Sequence, residues 1–395
     1  MKFLLYLLLP LTWIYQFGFF LDRFFKRKHK IENSFIISVG NLTMGGTGKT
    51  PMTIYLAKLL GQIFSDYPMV VLSRGYRGSG THDGMMVELD TNPSVCGDEP
   101  LLIKTKVPRV SVIIGKNRFE SFRKFFPREK EVDNGFVKYD INGRFSPRFR
   151  SLYRNRFFLP VIEKFEPNSE VKLSDKKIII LDDGFQHHAI QRNLDFLLID
   201  SDNAFGNGFT IPLGNLRERI SAVKRVQYIF FTRYTKENSY NVEILKMKFL
   251  KLNKDLKFFH LAYKAEPIKN SQGNSISLEE LKKRKLTMFS ALGNPFSFEN
   301  TIESFNPIEL KKVRFPDHFL FDEITIRNLI SKAGSDEILV CTEKDFIKIK
   351  NLKLSSEEFE KIYFLPIEVF IHKHFELKED LEKVIKLFFK TDSLK

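Results

Sequence analysis

FIISVGNLTMGGTGKTPMTIYLAKLL, Phe35–Leu60, decides the fold. Phe35–Val39 is an apolar run of strand length, and Lys49 opens a stretch with helical periodicity that continues to Ile63. Between them lies a glycine-rich connection, GNLTMGGTGKTP, Gly40–Pro51. A strand that feeds such a loop into a helix turns backbone N–H groups and the positive helix end toward one point, an arrangement that cradles a polyphosphate. Lys49 is placed to reach the β and γ phosphates, and Thr50 to hold Mg²⁺ through its hydroxyl. The usual pattern has Gly five residues before Gly48; here that position is Thr43, so the loop is a variant in which Gly45 and Gly46 supply the flexibility. The residues expected to line ATP are therefore Thr43, Met44, Gly45, Gly46, Thr47, Gly48, Lys49 and Thr50, with Asn41 just ahead of them toward the substrate side.

Working outward, apolar strand-length runs alternate with helical patterns. Strands are expected over Phe35–Val39, Met69–Ser73, Met85–Leu89, Val110–Ile114, Ile178–Leu181, Phe196–Ile199 and Tyr228–Thr232. Helices are expected over Lys49–Ile63, Asp98–Lys106, Asn117–Phe126 and Leu216–Val226. This alternation predicts an α/β fold, a P-loop NTPase-like parallel sheet wrapped by helices. After about residue 245 the pattern resumes with strands over Phe258–Tyr263, Leu286–Ser290, Ile338–Cys341 and Ile362–Leu365, as expected of a second, smaller α/β domain. Helices there are expected near Phe296–Phe305, Glu323–Lys332 and Glu379–Lys390. The expected division is thus 1–30, 31–245 and 246–395, with a basic, aromatic insertion of uncertain periodicity at about 127–176.

The second chemical signal is IIILDDGFQHH, Ile178–His188. An apolar strand ending in paired acids is the arrangement in which a carboxylate reaches Mg²⁺ beside a phosphate loop. Asp182 and Asp183 are the expected metal ligands with Thr50, and His187 is expected at the same sheet edge. Paired Asp residues are also common in turns, and ordinary loop polarity is an alternative for both histidines, more so for His188 than for His187. SRGYRG, Ser73–Gly78, offers Arg74 to a phosphate. CGDEP, Cys96–Pro100, starts a helix, with Asp98 or Glu99 as its expected N-cap. GNLRER, Gly214–Arg219, places Arg217 and Arg219 at another expected helix start. Asp317 and His318 in RFPDHF, and the run CTEKD at Cys341–Asp345, follow strand candidates, and their spacing alone names no role.

The N-terminus points to a membrane. Phe3–Leu21 is almost wholly apolar, and Arg23, Lys26, Arg27, Lys28 and Lys30 follow it. A secretory signal would place the charge ahead of the apolar run and a small-residue cleavage site behind it. A spanning helix of about 19 residues, an interfacial helix with Tyr6, Trp13 and Tyr15 at headgroup depth, and a buried core helix all remain. The cationic flank favours an anchor whose basic end stays cytoplasmic, against anionic lipid. The net charge of +15 also favours anionic partners. Two distant cysteines exclude a disulfide framework or a structural zinc site. The 41 Phe residues against a single Trp are as readily a genomic bias as a functional one.

The order of these pieces resembles the tetraacyldisaccharide 4′-kinase family of lipid A biosynthesis over nearly the whole chain. The matching runs are VGNLTMGGTGKTP, LSRGYRG, GDEP, LDDGFQHH, FGNG…PLGNLRER, FSALGNP, FPDHF and TEKD. The resemblance implies transfer of the γ-phosphate of ATP, with Mg²⁺, to the 4′-hydroxyl of an acylated glucosamine disaccharide 1-phosphate. It also implies anchoring at the cytoplasmic face of the inner membrane. On the same basis, Asp98 and His318 are the expected catalytic pair, brought together by domain closure. Arg74, Arg118 and Arg217 are expected on the 1-phosphate or the transferring group. The insertion departs from the family pattern without disturbing a motif residue. Neither nucleic acid nor an obligate protein partner is expected. A P-loop transferase acting on a soluble acceptor gives no reason for an anchor. A membrane-tethered ATPase switch needs no acceptor-side base. A nucleic-acid binder, which the charge and basic insertion suggest, lacks a recognisable module.

Overall fold

The computed structural model describes residues 8–127 and 176–392. Strand β1 (Ser34–Asn41) is buried along all eight residues, which is why it reads as a continuous apolar run rather than an alternation. It pairs in parallel with β5 (Lys177–Leu181) on one side and β6 (Leu194–Asp200) on the other. Beyond β5 lie β2 (Met69–Ser73), β4 (Ser111–Ile114) and the antiparallel edge strand β3 (Met85–Val87). Beyond β6 lie β7 (Tyr228–Thr232), β8 (Lys257–Ala265) and the antiparallel edge strand β15 (Ile367–Ile371). Helices α2 (Lys49–Ile63), α3 (Asp98–Lys106) and α4 (Arg118–Phe125) connect strands of this sheet. The P-loop helix α2 leaves the carboxyl end of β1, where α/β sheets bind ligands.

A second sheet has the order β10-β9-β14-β13-β11-β12, in which β10 is Ser275–Ile276. Its parallel strands are β11 (Lys285–Ser290), β12 (Glu309–Arg314), β13 (Glu337–Thr342) and β14 (Ile362–Leu365). It carries α6 (Phe296–Glu303), α7 (Glu323–Lys332) and α8 (Glu343–Ile349). The chain enters it at β9 (Ile268–Lys269), not at the expected residue 246, and leaves after β14. It then returns through β15 and helix α9 (His374–Asp392) to the first sheet. Leu377, Leu381, Ile385 and Phe389 of α9 join Phe35 and Ile37 of β1 in the main core. The expected helix over Leu216–Val226 is instead an extended segment followed by a short 3-10 turn, Ile220–Arg225. Its apolar residues Leu216 and Val223 are buried without forming a helical stripe.

The N-terminal helix α1 (Leu9–Phe25) docks on the first domain by polar contacts. The Tyr15 hydroxyl donates to the Arg217 carbonyl at 3.1 Å, and Gln16 donates to the Thr210 hydroxyl at 2.8 Å. Its other face leaves Trp13, Ile14, Phe17, Phe20, Phe24 and Phe25 exposed. Among the described residues no helix is long and apolar enough to cross a membrane. The basic insertion lies, but for its two ends, outside the described residues.

One close approach ties the sheet to the site. A Cβ added at Gly40 would sit 2.5 Å from the Phe185 Cβ and 2.9 Å from its backbone nitrogen. Gly40→Ala would therefore force the turn carrying Asp182 and Asp183 away from β1. Its expected cost is about 1–3 kcal/mol, read as a lowered melting temperature; an unchanged one would show that the turn yields freely.

Candidate active site

The variant loop departs from helical geometry at its glycines. Gly45 has φ of +115° and Gly48 of +84°, a region that L-residues avoid. A Cβ at Gly48 would also collide with the hydroxyl of Tyr263, 1.5 Å away, so β8 presses Tyr263 against the loop. Met44 N–H donates to the Asn215 carbonyl at 2.8 Å, and Arg217 N–H to the Leu42 carbonyl at 2.7 Å. The loop's first half is thus braced by the Gly214–Arg217 segment. Met44, Gly45 and Gly46 are exposed, whereas Thr43, Thr47 and Thr50 are buried. The Thr47 hydroxyl has no partner, as expected of a group that awaits a ligand oxygen.

Lys49 folds back over the loop, 3.4 Å from the Gly45 carbonyl and 3.8 Å from a carboxylate oxygen of Asp183. Arg217 donates to both Asp183 oxygens at 3.0 Å. Burial alone would raise the Asp183 pKa; the charges of Lys49 and Arg217 outweigh it and hold the carboxyl below its ordinary range. Asp182 lies deeper, 1% exposed. Thr53 donates to one of its oxygens at 2.9 Å and Ser73 to the other at 3.1 Å. Burial, then the charges of Glu99 and Asp183, push this carboxyl up to about 6.

The sign of that shift sets a pH dependence. Folded Asp182 binds its proton more tightly than the unfolded chain does, near 3.9. The associated stability is fully present below about pH 4 and lost as pH rises through about 6. Asp182→Asn is expected to gain on wild type in melting temperature between pH 4.5 and 7 in chelator-treated buffer. Parallel curves would contradict a raised Asp182.

Opposite the loop, the pair expected from GDEP and PDH is already assembled. His318 Nδ1 lies 2.9 Å from Asp98 Oδ2, and both side chains are largely buried. Asp98 is the first residue of α3 and not its cap; Gly97, at φ +86°, occupies that position. The second Asp98 oxygen accepts the Glu99 N–H at 2.9 Å. Burial would raise the Asp98 pKa, but the His318 hydrogen bond and the charges of Lys344, His318 and Lys348 bring it down to about 2. His318 has φ of +62°, an uncommon conformation for a non-glycine residue that marks a constrained position. Tyr76 packs edge-on to its ring at 5.7 Å.

The loop, Arg74, Asp98, Asp182, Asp183, Arg217 and His318 all line one cleft between the two sheets, of about 1460 Å³. That exceeds the roughly 300–1,000 Å³ of a single small-molecule site and leaves room for two substrates. Three expected contact residues do not line it. Asn41 is fully buried, with both side-chain polar atoms unpartnered. Arg118 is spent behind the site, donating to the carbonyls of Asp182 at 2.8 Å and Asp183 at 3.3 Å. His187 also lies behind it, where burial first and the charge of Arg118 next lower its pKa to about 3 and keep it neutral. Sequence reasoning missed Thr53, Ser73, Tyr263 and Arg192; Arg192 donates to the carbonyls of Gly184, Phe185 and His187. Only tertiary pairing distinguishes these from ordinary polar residues.

No group of three or more His, Cys, Asp or Glu is placed to hold a metal ion among the described residues. The Thr50 hydroxyl and the Asp183 carboxylate offer hard oxygens beside the loop. That set suits Mg²⁺, which takes one or two protein oxygens and completes its shell with phosphates and water.

A phosphate-binding loop on a parallel sheet, facing an acid–imidazole pair across a two-substrate cleft, defines a P-loop phosphotransferase. The family model for tetraacyldisaccharide-1-P 4′-kinase matches residues 4–386, and the chain belongs to that family. The tetraacyldisaccharide 4′-kinase of Leptospira biflexa is 32% identical, over 98% of this chain and 96% of its own. That of Syntrophobacter fumaroxidans is 30% identical, over 85% and 77%. The fold matches a crystal structure of LpxK from Aquifex aeolicus in complex with ATP. The TM-score is 0.64 and the identity 23%, covering 97% of this chain and 99% of that one.

Proposed function

We propose that this chain transfers the γ-phosphate of ATP to the 4′-hydroxyl of a tetraacylated glucosamine disaccharide 1-phosphate, giving the bisphosphorylated lipid A precursor and ADP. The observation that carries the reading is the shared cleft, with Lys49 and Asp183 on the nucleotide side and Asp98–His318 on the acceptor side. The acceptor oxygen bonds to the γ-phosphorus as the bond from that phosphorus to the β–γ bridging oxygen breaks. Lys49 moves from the Gly45 carbonyl to the β and γ phosphates, and Arg74 and Arg217 face the transferring group. Thr50 and Asp183 would hold Mg²⁺, which would supply positive charge against the phosphate oxygens.

The hydroxyl proton passes to the Asp98–His318 pair. A carboxylate held near pKa 2 is a weak base by itself. With Nδ1–H donating to Asp98, however, His318 presents Nε2 as an acceptor, and the anion stabilises the imidazolium that forms.

The exposed apolar face of α1 and the basic run after it support attachment at the cytoplasmic face of the inner membrane, with the helix lying in the interface. Replacing Phe17, Phe20 and Phe24 with Ser is expected to cut co-sedimentation with anionic phospholipid vesicles at least tenfold; undiminished sedimentation would remove the helix from the membrane. The reaction itself is tested by incubating γ-labelled Mg·ATP with purified tetraacyldisaccharide 1-phosphate in detergent micelles. Labelled bisphosphorylated lipid is expected. ATP hydrolysis without labelled lipid would turn the reading to a tethered ATPase.

A further inference from the structure

The run TEKD, Thr342–Asp345, opens α8 in the second domain, and the proposed chemistry gives it no part. Its placement does. Lys344 and Lys348 stand four residues apart and so share one helix face, which meets Asp98 and the loop that carries His318. Lys344 Nζ lies 2.9 Å from Glu99 Oε1 and 3.6 Å from Asp98 Oδ2, across the boundary between the two domains. Lys348 Nζ donates to the carbonyl of Phe319, the residue after His318, at 3.1 Å. It is also paired with Asp345 at 2.8 Å, both side chains being almost fully buried. Asp345 in turn accepts the Ala291 N–H at 3.1 Å and the Thr342 hydroxyl at 2.7 Å. The carbonyl of Ala291 accepts the His318 N–H at 3.2 Å. The left-handed backbone at His318 is therefore gripped on both sides by groups that α8 anchors.

We propose that Lys344 is a positioning residue for phosphoryl transfer: from α8 it holds the Asp98 carboxylate ionised and docked on His318, while Lys348 and Asp345 fix the loop that presents the imidazole. This rests on the reading of Asp98–His318 as the acceptor-side base. The charged and titratable groups facing Asp98 are His318 on the Pro316–Phe319 loop, Lys344 and Lys348 on α8, Glu99 on its own helix and the buried Cys96 thiol just before it; Asp317 faces the imidazole from the other side at 3.8 Å. Among the charges acting on Asp98, Lys344 is the largest, and an opposite charge at this range lowers a carboxyl by about one to three units. Its loss frees the effect of burial.

The test is steady-state phosphate transfer by the full chain, wild type against Lys344→Met and Lys344→Arg, from pH 3 to 9, so that a limb rising from about 2 enters the window. The methionine variant is expected to lose at least tenfold in kcat, with the KM for ATP within twofold of wild type. The acid limb of its pH profile moves up by about one unit or more. The arginine variant, which keeps the charge, is expected to recover most of kcat and the wild-type acid limb. Lys348→Met, combined with Asp345→Asn to avoid stranding a buried charge, is expected to lower kcat and to move that limb less than Lys344→Met does, because Lys348 acts on Asp98 more weakly than Lys344. A Lys344→Met enzyme with wild-type kcat would overturn the proposal, as would one whose kcat falls with no change in its pH profile. Failure of wild type itself to label the lipid would instead refute the proposed reaction, so the two failures are distinct.

Discussion

Asp98→Ala is expected to lower phosphate transfer by about 100- to 10,000-fold, the range set by disabling a positioned acid–base pair, while nucleotide affinity stays near wild type. The carboxylate accepts from His318 Nδ1 and the Glu99 N–H and lies beside Lys344. Removing it leaves the imidazole without the group that fixes its tautomer, and leaves Lys344 with Glu99 alone. Asp98→Asn should fare little better: an amide preserves the shape but cannot stabilise an imidazolium. Transfer of labelled phosphate, measured beside the binding of a fluorescent ATP analogue, separates the two sides of the cleft. Transfer within threefold of wild type would place the proton acceptor elsewhere. Loss of nucleotide binding in parallel would show that the substitution had disturbed the fold.

Lys49→Ala should act from the opposite side, lowering kcat/KM for ATP by about 100- to 1,000-fold, as expected when a preorganised donor to developing charge is removed. In the structure Lys49 rests on the Gly45 carbonyl and near Asp183, positions a triphosphate would displace it from. Its removal also leaves Asp183 to Arg217 and Arg118, so the Asp183 pKa should rise. Lys49→Arg is not a conservative rescue, because a planar fork cannot replace a compact ammonium inside a loop closed by Gly48 and Tyr263. Full activity in Lys49→Ala would mean that the loop holds the phosphates through its backbone alone.

What was legible in the sequence was local. Met69–Ser73, Tyr228–Thr232, Lys49–Ile63 and Asp98–Lys106 are found at the residues their patterns predict, because buried parallel strands are continuous apolar runs and both helices open directly after a glycine of a motif, Gly48 and Gly97. The edge strands were harder. β12, ELKKVR, is half exposed and highly charged, which protects an edge and erases the apolar signal. β15, IEVFI, is likewise an edge strand; its residues are mostly apolar, but only Ile371 is buried. The expected helix over Leu216–Val226 failed because Arg217 and Leu216 are recruited to brace the phosphate loop, a demand that local propensity does not register.

The same division runs through the site. The glycines, Lys49, Thr50, the Asp182–Asp183 pair, Asp98 and His318 were all marked by residue type and order. Sequence alone therefore determined a P-loop α/β protein of this kinase family. Only the tertiary structure decided which residue does what within it. It placed Arg118 and His187 behind the cleft, sank Asp182 beneath two hydroxyls, and left Asp183 facing the loop. It set His318 against Asp98 across 220 positions of chain, and brought Lys344 to the same carboxylate. The physical reason is that burial and the charge of distant neighbours set a carboxylate's proton affinity. Neither is a property of the residues beside it in the chain.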